Sequence, residues 1–99
     1  MANPDSESFV RSFARGLGVI EVLGRDARRL TLAEVAEGVG LPRTAVRRFL
    51  FTLIDLSFVD TDGKHYWLTP RVLRLGLSYL QSLPYWRHAQ LALEELCAR

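Results

Sequence analysis

The sequence predicts a mainly α-helical fold carrying one small β-hairpin, and three observations predict it. Apolar residues recur at helical spacing through most of the 99 residues. Between Phe58 and Leu68 that period breaks, and two short runs rich in aromatic and β-branched residues flank Asp62-Gly63, a strong hairpin signal. Between these regions, Gly40 and Pro42 divide what would be one long helix into two helices joined by a turn.

Residues 1–8 are polar and predict a flexible N-terminal arm. From Phe9, the residues Phe13, Leu17, Ile20 and Leu23, with Phe9, Ala14 and Val19 nearby, give a first helix one apolar face that ends at Gly24. The stretch from Arg25 to Leu30 reads as a loop. Thr31 and Glu34 have the spacing of a capping box, which opens a second helix by satisfying its first free amides. Val35, Ala36 and Val39 repeat on one face, and Gly40 stands where the chain must turn left-handed. After Leu41-Pro42 a third helix runs to about Leu56, with Val46, Phe49, Leu50 and Leu53 as its buried stripe. The hairpin pairs Phe58–Thr61 with Lys64–Leu68 across an Asp-Gly turn. Thr69-Pro70 reads as the start of a fourth helix through Val72, Leu73, Leu75, Gly76, Tyr79 and Leu80. Pro84 breaks it, and an amphipathic helix from Tyr85 to Arg99 follows, with Tyr85, Ala89, Ala92, Leu93 and Leu96 on one side.

Composition narrows the function. A hydrophobic fraction of 48% suits a folded chain, and no apolar run approaches the ~20 residues of a membrane helix. The N-terminus lacks the pattern of a secretory signal. The single cysteine, Cys97, has no internal disulfide partner, which fits a reducing compartment and makes the cytoplasm the expected location. His65, His88 and Cys97 lack metal-ligand spacing. No nucleophile elbow or phosphate-cradling loop appears, and Gly16-Leu17-Gly18 lacks the third glycine and preceding strand of a dinucleotide fingerprint. The expectation is a non-enzyme without cofactor or metal.

The net charge of +2 is small, but its distribution is uneven: Arg43, Arg47 and Arg48 fall in a stretch without any acid from Gly38 to Ile54. Two helices joined by a tight turn need a small residue, a positive-φ residue and apolar filling at fixed places. Val35, Ala36, Gly40, Leu41, Val46 and Phe49 meet those needs, and the order of helix, helix, turn, helix, hairpin and helix is that of a winged helix-turn-helix. With the apolar stripe inward, Thr44, Arg47 and Arg48 point outward and Arg43 projects from the first turn, the end that enters a DNA major groove in such motifs. Arg43 opposes the helix dipole there, which a phosphate or guanine partner would explain. Lys64 and His65, just after the wing turn, are candidates for phosphate or minor-groove contact. Tyr66 and Trp67 are expected in the core under the hairpin, Phe51 against the wing, and Arg25, Arg28 and Arg29 on a solvated loop. An alternative is a winged-helix protein-docking module, which an apolar or acidic outward face would favour; a third is a DNA-handling domain of a larger enzyme.

The segments Ser12-Phe13-Ala14-Arg15-Gly16-Leu17, Leu32-Ala33-Glu34-Val35-Ala36 and Leu41-Pro42-Arg43-Thr44-Ala45-Val46-Arg47-Arg48-Phe49-Leu50 resemble the IclR family of transcriptional regulators. The Thr61-Asp62-Gly63 wing, Leu68-Thr69-Pro70-Arg71-Val72-Leu73 and Ser82-Leu83-Pro84 resemble its subgroup controlling aromatic-acid catabolism. The resemblance implies a sequence-specific regulator that binds double-stranded DNA as a homodimer, with Arg43, Thr44, Arg47 and Arg48 on the reading helix. It also implies a small-molecule effector bound by a C-terminal domain absent from this sequence. Residues 9–83 would then be the DNA-binding domain and residues 84–99 a linker helix toward that effector domain. Phe51 stands where relatives commonly have a smaller aliphatic residue.

Overall fold

The computed structural model describes residues 7–26 and 28–98, apart from the side chains at 89, 97 and 98. Most of the expected N-terminal arm and the Cys97 thiol lie outside the described residues. The chain forms two units, one reaching to Thr69 and one starting at Pro70.

In the first unit, α1 (Arg11–Arg25) leads through a short connection into β1 (Leu30–Thr31), which runs straight into α2 (Leu32–Val39). α3 (Arg43–Asp55), β2 (Val59–Thr61) and β3 (His65–Leu68) follow. The three strands form one antiparallel sheet in the order β1-β3-β2, with Leu30 opposite Tyr66 and Val59 opposite Leu68. This is a winged helix-turn-helix: three helices, with a small sheet as the wing.

The expected start of α2 is present in full. The Thr31 hydroxyl accepts from the Glu34 N–H at 3.2 Å, while the Glu34 carboxylate accepts from the Thr31 N–H at 2.9 Å. The helix ends at Gly40, whose φ of 72° lies in the left-handed region that a Cβ penalises. The N–H groups of Gly40 and Leu41 both donate to the Ala36 carbonyl, which closes the turn. α3 ends in a similar way, with Ser57 at φ 69° and the Phe58 N–H donating back to the Leu53 carbonyl.

The core lies where α1, α2 and α3 meet the inner face of the sheet. Val19, Val35, Val46 and Leu50 are completely or almost completely buried, with Val22, Leu23, Leu30, Ala36, Leu53, Val59 and Tyr66 around them. Val39, Leu41 and Phe49 are half-buried against this cluster. α1 and α2 approach closely at Gly38, where an added Cβ would lie 2.8 Å from Val22 Cγ1. No helix among the described residues is long and apolar enough to cross a membrane.

Several expectations are corrected. The expected loop from Arg25 to Leu30 contains the last residue of α1 and the first of β1, because Leu30 finds a strand partner far along the chain at Tyr66. α1 turns Val19, Val22 and Leu23 inward, so Phe13 and Leu17 remain 68% and 44% exposed. The hairpin turn sits one residue later than Asp62-Gly63: the Asp62 N–H donates to the His65 carbonyl, and Gly63 alone among residues 62–65 has a positive φ. Asp62 serves instead as a side-chain acceptor within the turn.

In the second unit, Pro70–Leu73 form a 3-10 turn instead of the first turn of an α-helix, and α4 (Arg74–Gln81) and α5 (Trp86–Ala98) follow. Leu75, Tyr79, Tyr85, Leu91 and Leu96 are exposed here.

Candidate nucleic-acid interface

The orientation of α3 follows from its anchors. Pro42 at the N-cap is extended, with φ −61° and ψ 148°, so α3 starts sharply at Arg43. Val46, Leu50 and Leu53 are buried, which at 100° per residue turns Thr44 and Arg48 to the opposite side and Arg47 to the flank, while Arg43 projects from the first turn. All four are exposed. None of the three arginines has an acidic partner among the described residues, and the first turn of α3 contains no acid. The Arg43 charge at the positive end of this helix dipole therefore stands uncompensated, at a cost of about 0.3–1 kcal/mol.

Phe51 departs from expectation. Expected against the wing, it is 47% exposed, and the Arg47 guanidinium lies over its ring 5.1 Å from the centroid. On the side toward α1 an open groove is lined by Ser12, Arg15, Ala45, Arg48, Phe49, Phe51 and Thr52.

In the wing, Lys64 stands exposed at the tip and His65 is half-buried at the start of β3. Asp62 organises both. Its Oδ1 accepts from the Lys64 N–H at 2.9 Å and the His65 N–H at 2.7 Å, while its Oδ2 lies 3.4 Å from His65 Nδ1. These donors, chiefly the His65 N–H, hold the Asp62 carboxyl at about 2, below its usual 3.8. A carboxyl whose pKa falls on folding stabilises the fold above its unfolded value, and that contribution is lost as pH falls through the folded value. The wing is thus expected to keep this support above about pH 4 and to lose it toward pH 2. The stability advantage of the wild-type chain over Asp62→Asn should shrink across that window in thermal melts. A gap that stayed constant from pH 6 to pH 2 would refute this role.

The basic cluster before β1 is divided. Arg28 pairs with Asp26 at 3.0 Å and with Glu34 at 3.7 Å, so much of its charge is answered within the fold. Glu34 is in turn held below the usual carboxylate range, first by the Thr31 N–H it accepts from. Arg29 lies 3.8 Å above the Trp67 ring, on the outer side of the sheet. Trp67 is thus half-buried and partnered by a cation, whereas Tyr66 enters the core as expected. Sequence reasoning missed the Arg29–Trp67 pair, although strand alternation carried the signal: adjacent residues on β3 must face opposite ways. Among the described residues, no group of three His, Cys, Asp or Glu side chains is arranged to hold a metal ion.

A helix pair joined by a glycine turn, a third helix presenting arginines without acidic partners among the described residues, and a hairpin wing define a DNA-binding domain of the transcriptional-regulator class. The model of the IclR helix-turn-helix domain matches residues 12–63, over half of the chain. The chain belongs to this family. It is 45% identical over 94 residues to the p-hydroxybenzoate hydroxylase transcriptional activator of Acinetobacter baylyi, covering 95% of this chain and 35% of that one. It is 44% identical over 88 residues to the Pca regulon regulatory protein of Pseudomonas putida, covering 89% of this chain and 30% of the relative. The crystal structure of a transcriptional regulator from Rhodococcus sp. RHA1 superposes with a TM-score of 0.69 at 53% identity, over 76% of this chain and 30% of that one. The chain therefore spans about a third of the length of the relatives it matches.

Proposed function

We propose that this chain is the operator-reading domain of a cytoplasmic regulator of aromatic-acid catabolic genes, and that it binds double-stranded DNA as a homodimer. The observation that carries the reading is the outward face of α3, where Arg43, Thr44, Arg47 and Arg48 are exposed and the arginines lack acidic partners among the described residues. In the major groove, Arg43 and Arg47 read base edges and Thr44 reads a base or holds a phosphate. Arg48 lies further round, toward one phosphate strand. Lys64 and His65 bring the wing to the DNA backbone. The names of the relatives, a p-hydroxybenzoate hydroxylase activator and a Pca regulon protein, support the choice of aromatic-acid genes.

Residues 9–83 act as the DNA-binding domain, and residues 84–99 as a linker helix toward a separate domain that takes the small-molecule effector. The exposed Val10, Phe13 and Leu17 on α1, and Tyr85 and Leu96 further on, support pairing of two copies. Selection of duplexes from a randomised library by this chain tests the proposal. Enriched duplexes are expected to contain two inverted half-sites, centred about 10 base pairs or a multiple of that apart. Enrichment of a lone half-site would overturn the dimer, and no enrichment over the starting pool would overturn DNA reading.

A further inference from the structure

The side chain on α3 that the reading above leaves without a task is Phe51. Its neighbours Leu50 and Leu53 are buried in the core, yet the Phe51 ring is 47% exposed on the side that carries the arginines. It stands one helical turn beyond Arg47 and holds that guanidinium 5.1 Å from its centroid, within cation–π range. A cation–π contact engages the charge and not the N–H donors, so it restrains Arg47 and leaves those donors to grip a guanine. Beyond the ring, the groove it lines with Ser12, Arg15, Ala45, Arg48, Phe49 and Thr52 contains two cations, two hydroxyls, a second ring and no acid. An occupant of this surface is therefore anionic and yet offers something apolar to the ring. The major groove of DNA does both, since its phosphates flank base edges among which the thymine 5-methyl group is the apolar feature.

We propose that Phe51 is a specificity-determining residue of the DNA interface: it positions Arg47 against a guanine, and its exposed edge contacts the methyl group of a neighbouring thymine. The inference rests on α3 being the reading helix, and the experiment separates the two. The probe is a duplex selected by the wild-type chain from a random library. It is compared with versions in which single G·C pairs are exchanged or single thymines are replaced by deoxyuridine, which lacks only the methyl group. Binding is measured for wild type, Phe51→Ala, Phe51→Leu, Arg47→Ala and the Arg47→Ala/Phe51→Ala double variant. Phe51→Leu retains apolar bulk without a ring face, and thermal melts confirm which variants fold.

Phe51→Ala is expected to weaken binding to the selected duplex by about fivefold. Both Phe51 variants should discriminate less at the guanine that Arg47 reads, and the double variant should lose less than the product of the single losses. Deoxyuridine at the thymine beside that guanine should weaken wild type but not Phe51→Ala. Three results would overturn the proposal: unchanged affinity and discrimination in both Phe51 variants, an equal loss on every duplex with discrimination intact, or deoxyuridine effects that ignore residue 51. If Arg47→Ala still loses its preference in those cases, the reading of α3 stands and only the role of Phe51 falls. If Arg47→Ala also binds like wild type, the reading of α3 falls with it.

Discussion

Alanine at Arg47 is expected to relax the preference at one base pair of each half-site and to cost about 1–3 kcal/mol there, the value of a bidentate guanine contact. In a symmetric dimer the loss is felt twice. Alanine at Arg48 should act differently. It should weaken operator and random duplex alike and lower the slope of log K against log salt by about one unit, because a phosphate contact releases counterions whatever the sequence. Both side chains are exposed and neither belongs to the core, so the melting temperature should barely move. Salt titrations of each variant against operator and random duplex decide the matter. Wild-type binding by both variants would remove α3 from the interface.

Alanine at Leu50 should do the reverse, abolishing the fold before any contact can be read. Leu50 is completely buried at the centre of a core with few other large side chains to take up the space. A buried Leu→Ala change costs about 2–5 kcal/mol. In a domain of this size each kcal/mol moves the midpoint by about 4–8 °C, so the shift should reach tens of degrees. The exposed Leu56, a little further along the chain, provides the control: Leu56→Ala should lie within about 0.5 kcal/mol of wild type. Circular-dichroism melts of the two variants test this. A loss below about 1 kcal/mol for Leu50→Ala would mean that α3 is not pinned to the core as described.

What was legible in the sequence was what local chemistry determines. Thr31 and Glu34 announce the start of α2, Gly40 its end, and Val46, Leu50 and Leu53 the inward side of α3, because each signal lies within a few residues of its effect. β1 escaped for the opposite reason. Two residues have no period, and Leu30–Thr31 become a strand only by pairing with His65 and Tyr66. α1 carries apolar residues on more than one side, so periodicity showed a helix without showing which side is covered by this chain. The candidate arginines were readable from the inward stripe of α3. The stacking of Arg29 on Trp67 and of Arg47 on Phe51 was not, since a ring and a cation announce no particular partner until the backbone places them.

Thr31 belongs to two structures at once, as the last residue of β1, opposite His65, and as the N-cap of α2. No slack separates sheet from helix at this joint. A tilt of the hairpin would have to break either the strand pairing or the reciprocal bonds with Glu34. The wing and the helix pair consequently behave like the fixed jaws of a calliper: the gap between the Lys64 tip and the Arg43 end of α3 is set when the chain folds. In the proposed complex, a duplex too wide or too narrow for that gap is therefore expected to be the partner that deforms.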